Sequence, residues 1–86
     1  MQQNWDELDR RMLLGIVKQP GGSIRDVIRP FLKERSETAL RLRVRSYWLH
    51  DLIEMKPGVT KVQCYPLLKN IKKIEGMLDT PGGVQV

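Results

Sequence analysis

The chain is poor in the residues from which small proteins build cross-links. It has one cysteine, Cys64, and one histidine, His50. A lone cysteine excludes an internal disulfide, and one Cys with one His falls short of the ligand set of a structural zinc site. Cys64 is therefore expected to be a small buried apolar residue. Long apolar runs are missing too, so neither a membrane-spanning helix nor a secretory core is expected. The start, "MQQNWDELD", is acidic and polar rather than signal-like, and a cytoplasmic protein is expected, nucleoid-associated if prokaryotic. There is no glycine-rich phosphate loop and no nucleophile set beside a base; "PGG" occurs twice, but only as punctuation. Asp6, Glu7 and Asp9 read as helix-start acids, not as a catalytic pair. Neither an enzyme nor a cofactor is expected.

What the chain does have is positive charge in one place. Its 86 residues, enough for one domain, carry a net charge of +5 and a pI near 9.7. The first 22 residues balance. Residues 23–50 carry Arg25, Arg29, Lys33, Arg35, Arg41, Arg43 and Arg45 against only Asp26, Glu34 and Glu37. Arginine suits the planar recognition of phosphates and guanine edges, so a nucleic-acid partner is the first expectation. RNA binding is a further possibility, but aromatic residues make up only 6% of the chain, which weighs against base stacking on a single strand.

Hydrophobic spacing predicts a first helix over "NWDELDRRMLLGIVK". Asn4 is the expected cap, with Glu7 three residues on, and Leu8, Met12 and Ile16 form one apolar stripe flanked by Trp5 and Leu13. "QPGG" ends it. Ser23 caps a second helix with Asp26 at the capping-box position, and Ile24, Val27, Ile28, Phe31 and Leu32 are its expected buried face. Pro30 limits that helix to about residues 24–29, followed by a looser turn to Arg35.

The stretch "ALRLRVRSYW" admits two readings. Leu40 to Arg45 alternate as a half-buried strand would. The alternation fails after Arg45, however, and Leu, Ala and Arg are strong helix formers behind an N-cap candidate, Ser36. A helix over residues 37–50 gathers Leu40, Val44 and Tyr47 in one sector, with Ala39 and Trp48 at its edges. Thr38, Arg41, Leu42 and Arg45 then form an outward surface. Arg43 points elsewhere, towards Asp6 or Asp9 for a salt bridge. Next, Leu52–Lys56 and Thr60–Tyr65 alternate around a Pro-Gly turn and predict a two-stranded hairpin, with Lys56 and Lys61 flanking its tip and Pro66 ending the second strand. Ile71, Ile74 and Leu78 share a face of a short last helix, and residues 80–86 read as a flexible tail.

Helix, helix, helix, hairpin, helix is the order of a winged helix-turn-helix domain, an α+β fold expected over residues 1–79. A major groove accepts a helix, so Ser36, Thr38, Arg41, Leu42 and Arg45 are expected to meet duplex DNA. Arg25, Arg29, Arg35, Lys56 and Lys61 are expected on the flanking backbone.

"LDRRML", Leu8 to Leu13, is similar to the opening of the first helix in the leucine-responsive regulatory protein family. "SETALRLRVRSYWLHDLI" resembles that family's recognition helix leading into a strand, through Ser36, Ala39, Leu40, Arg43, Val44, Leu52 and Ile53. The resemblance implies the winged-helix fold and a transcriptional regulator. Three features depart from the pattern: Asp51 stands at a usual glycine, the second helix is about two residues longer and holds Pro30, and the effector-binding domain has no counterpart in these residues. Leucine-type effector sensing is therefore not expected.

Leu42 and Leu49, seven apart, sit away from the expected core, to be covered by the hairpin, the second helix or a second protomer. A homodimer through them, or through Ile71, Ile74 and Leu78, would suit a palindromic site. The alternative to DNA binding is a protein-interaction module using Leu42, Trp48 and Leu49.

Overall fold

Helix α1 (Glu7–Lys18) starts where its free amides can be satisfied twice over. The Asp6 side chain accepts from the Asp9 amide at 3.1 Å, and the Asp9 side chain accepts from the Asp6 amide at 2.9 Å. The cap is thus Asp6 rather than the expected Asn4, and Asp9 rather than Glu7 completes the box. A carboxylate two residues nearer the apolar stripe wins because Asp9 also has a buried partner, described below. The computed structural model describes residues 5–67. Asn4, the last helix with Ile71, Ile74 and Leu78, and the tail 80–86 lie outside them.

After α1 the chain forms a two-residue strand β1 (Gly22–Ser23), helix α2 (Ile24–Ile28) and a 3₁₀ turn (Arg29–Phe31). Ser23 caps α2 with Asp26 returning the bond, as its sequence predicts. Pro30 sits in the first turn of the 3₁₀ segment, where no amide is needed. That tightening turns Leu32 outward, so it is exposed and not part of the buried face. Helix α3 (Glu37–Leu49) settles the ambiguous stretch as helix; the Ser36 hydroxyl accepts from the Ala39 amide at 3.2 Å.

The end of α3 explains Asp51. Its φ is +59°, the left-handed region that a glycine would occupy without penalty. The Asp51 amide donates to the Trp48 carbonyl at 3.1 Å and the Leu52 amide to the Tyr47 carbonyl at 2.9 Å. This is a Schellman stop, and it delivers Leu52, fully buried, into the core.

Strands β2 (Ile53–Pro57) and β3 (Val62–Pro66) pair antiparallel, with Met55 opposite Cys64 and Pro57 opposite Val62. Both lie one or two residues later than the spacing predicts. The sheet has three strands, not two: β1 adds to the other side of β3, Gly22 opposite Cys64, giving the order β1-β3-β2. Gly21 makes the approach possible. Its φ is +94°, and its amide donates to the Cys64 carbonyl at 2.8 Å.

One core fills the space between sheet and helices. It is built from Leu8, Met12, Leu13 and Ile16 of α1, Ile28 and Phe31, then Leu40, Val44 and Tyr47 of α3, with Leu52, Ile53 and Cys64. Burial pushes the Cys64 thiol up to about 11, so it is an inert thiol near neutrality. Val62, which alternation puts on the same face as Cys64, is exposed, because β3 begins beside the loop at the tip of the hairpin.

Candidate functional site

The outward side of α3 is the most distinctive surface, and three sets of contacts hold the helix so as to present it. The first is Asp9. Arg43 Nε donates to Asp9 Oδ1 at 2.9 Å, Arg43 Nη2 donates to the other oxygen, and the Tyr47 hydroxyl donates to Oδ1. Asp9 is fully buried. Burial alone pushes its carboxyl up. Hydrogen bonds from Arg43, Tyr47 and the Asp6 amide, with the Arg43 charge beside it, outweigh burial and hold it below the usual carboxylate range. Burial, then the bond to Asp9, pushes the Tyr47 phenol far above its ordinary value, so it remains a donor. Of the two acids expected to meet Arg43, Asp9 is the partner.

The second is at the far end of the 3₁₀ turn. Arg11 of α1 makes a forked bond to Glu34, at 2.7 and 3.1 Å, while its guanidinium lies 5.3 Å from the Phe31 ring centre. The third is Trp5, which packs on the Tyr47 ring at 5.5 Å and meets His50 edge-on.

With Leu40, Val44 and Tyr47 turned inward, the opposite face of α3 is open. Leu42 is 60% exposed, Leu49 62% and Trp48 45%. Among the described residues neither the hairpin nor α2 covers Leu42 or Leu49. Thr38, Arg41, Leu42, Arg45 and Trp48 instead line a groove of about 370 Å³, completed by Ile24 of α2 and Met55 of β2. A second hollow, of about 290 Å³, adjoins it through Ile24 and Arg41. There Arg25 of α2, Arg41 of α3 and Lys61 of the hairpin loop come together around Ser23 and Val62. Three cations from three elements border this hollow, and no carboxylate lines it.

The expected residues therefore divide. Thr38, Arg41, Leu42 and Arg45 share the groove, and Arg25 and Lys61 join Arg41 beside it. Ser36 is engaged as the helix cap. Arg29 stands 3.7 Å from Asp26 and Arg35 3.9 Å from Asp6, and neither lines the groove or the hollow. Lys56 is turned onto the Tyr65 ring, 5.2 Å away, and does not line them either. Arg41 is tied to Glu37, one turn back, at 2.9 Å. Exposed pairs of this spacing contribute only about 0.3–0.5 kcal/mol, so the guanidinium is readily released to a stronger acceptor. Arg45 has no carboxylate partner among the described residues.

Ile24 and Met55 were not foreseen at this surface. Ile24 reads as part of a buried face and Met55 falls on the apolar side of the alternating hairpin, and both are half-buried, one flank on the core and one on the groove. Periodicity does not separate such residues from fully buried ones. The Glu37–Arg41 pair did have a signal, since acid and base four apart on a helix are neighbours.

No helix among the described residues is long and apolar enough to cross a membrane. No family model, curated protein or solved structure matches the chain. The groove and its cations belong to an α+β unit with, among the described residues, three α-helices and a three-stranded antiparallel sheet.

Proposed function

We propose that the chain is a winged helix-turn-helix module that binds double-stranded DNA and regulates transcription. Helix α3 would enter the major groove, and the β2–β3 hairpin would be the wing beside the backbone. One observation carries the reading. The open face of α3 bears Arg41 and Arg45, and the cations flanking it from α2 and the hairpin, Arg25 and Lys61, stand where a backbone bordering the groove would run. In this reading Arg41 and Arg45 reach base edges or phosphates, and Thr38 adds a short donor. Arg25 and Lys61 hold backbone phosphates; Arg29, Arg35 and Lys56 line neither the groove nor the hollow and are given no leading part.

The test is a mobility-shift titration on random-sequence and selected duplexes. Arg41→Ala with Arg45→Ala should leave the circular dichroism spectrum unchanged, since both side chains are exposed, and weaken binding by tenfold or more, each base-directed contact being worth ~1–3 kcal/mol. Affinity should fall steeply with salt, and removing Arg25 or Lys61 should each lower the salt slope by about one. Unchanged affinity in the double variant refutes the reading.

The exposed Leu42, Trp48 and Leu49 favour a second reading, a protein-interaction module in a larger assembly. It requires no duplex binding at low salt and an association that Leu49→Asp abolishes.

A further inference from the structure

The groove on α3 is not the uniformly polar surface that phosphate binding alone calls for. Its centre is Leu42, more than half exposed, with Thr38 one turn before it, Arg45 one turn after it, and Arg41 adjoining. Ile24, Met55 and Trp48 complete its apolar lining. An apolar side chain is thus set among long donors at the middle of the surface.

The edges of a DNA major groove are almost wholly polar. Guanine offers two acceptors, adenine an acceptor and a donor, and cytosine a donor. Thymine alone presents a methyl group, on C5, beside an acceptor, where cytosine carries only a hydrogen. A leucine flanked by two arginines therefore finds in the thymine methyl the largest apolar group that a base edge offers. If the leucine met any other base edge, it would cover a polar group and offer no bond in return. The charge fits the same occupant: Arg41 and Arg45 line the groove, Arg25 and Lys61 line the hollow that adjoins it, and Glu37 already shares its charge with Arg41.

We propose that Leu42 reads a thymine methyl, so that the preferred site holds a thymine flanked by the acceptor-bearing bases or phosphates that Arg41 and Arg45 engage. The assignment rests on the DNA-binding reading above and adds to it the identity of one base.

The experiment selects duplexes from a random pool with the full chain, then replaces each thymine of the selected site, one at a time, with deoxyuridine. That swap removes one methyl and leaves every hydrogen-bonding group in place. Wild-type protein should lose affinity about fourfold at one thymine per bound protomer, the value of one buried carbon. Leu42→Ala should lose the same factor on the thymine duplex and be indifferent to the swap at that position, whereas Leu42→Met should keep the discrimination. Binding that is equally tight with deoxyuridine throughout overturns the inference while leaving DNA binding intact. Discrimination that persists in Leu42→Ala overturns the assignment to this residue. Failure to bind any duplex at low salt overturns the DNA-binding reading and the inference with it. The deoxyuridine series on unmutated protein keeps the test independent of any variant's folding.

Discussion

Asp9 shows how one residue can serve both fold and surface. It completes the cap of α1 and anchors Arg43 and Tyr47 of α3, so the end of one helix fixes the rotation of another. Arg43 is thereby withdrawn from the arginine row, leaving Arg41 and Arg45 to the open face. The buried pair gives a clear mutational outcome. Arg43→Met leaves a buried carboxylate with only the Tyr47 hydroxyl and the Asp6 amide as donors, and stranding a buried charge in this way costs up to about 3 kcal/mol. Urea titration of the variant against wild type measures it, and a loss under 1 kcal/mol would show that Asp9 finds solvent when its partner goes. The sequence foretold a bridge from Arg43 to this helix but not which acid makes it. Asp6 and Asp9 are both helix-start acids by composition. Only the packing of Tyr47 over α1 decides between them.

At the scale of elements, α1, α2 and α3 were legible because each carries a cap, an apolar period and a stop. The α3 boundaries differ from expectation by one residue. β1 was not legible: a strand of two residues has no alternation to read, and its existence depends on β3, forty residues away. The groove was half legible. Spacing on one helix gave Thr38, Arg41, Leu42 and Arg45, while Ile24 and Met55 come from other elements, and no single-helix pattern brings them in. The C-terminal stop of α3 makes its own prediction. Asp51 holds a left-handed conformation that β-branched residues resist, so Asp51→Val should cost about 1–2 kcal/mol, while Asp51→Gly should be tolerated. Thermal melts of the two variants decide it; equal midpoints would mean that the turn is not strained.

For the whole molecule, the charged contacts set how stability depends on pH. The carboxyls of Asp9, Asp26 and Glu34 all lie below their ordinary values. For Asp9 the bonds from Arg43 and Tyr47 overcome burial; for Asp26 the cause is bonding with Ser23, and for Glu34 the bond from Arg11. A lowered folded-state value stabilises the protein fully above the unfolded value, about 3.9 for Asp and 4.3 for Glu, and the gain is lost as pH falls through the folded value. Stability from these groups should therefore be flat from pH 8 to about 5 and decline below about 4. Asp26 and Glu34 are exposed, so Asp9 should dominate the decline. Asp9→Asn should start less stable at neutrality and show a shallower acid limb in melts recorded across that range; an unchanged limb would place the acid sensitivity elsewhere.

The two-residue strand β1 has a mechanical consequence. Ser23 is at once a rung of the sheet and the cap of α2, so the hairpin and the helix that follows are riveted at a single residue. The backbone that carries Arg25 is thereby pinned beside the strand that follows Lys61, so the span between the two is set when the chain folds and only their long side chains would be left to order on contact.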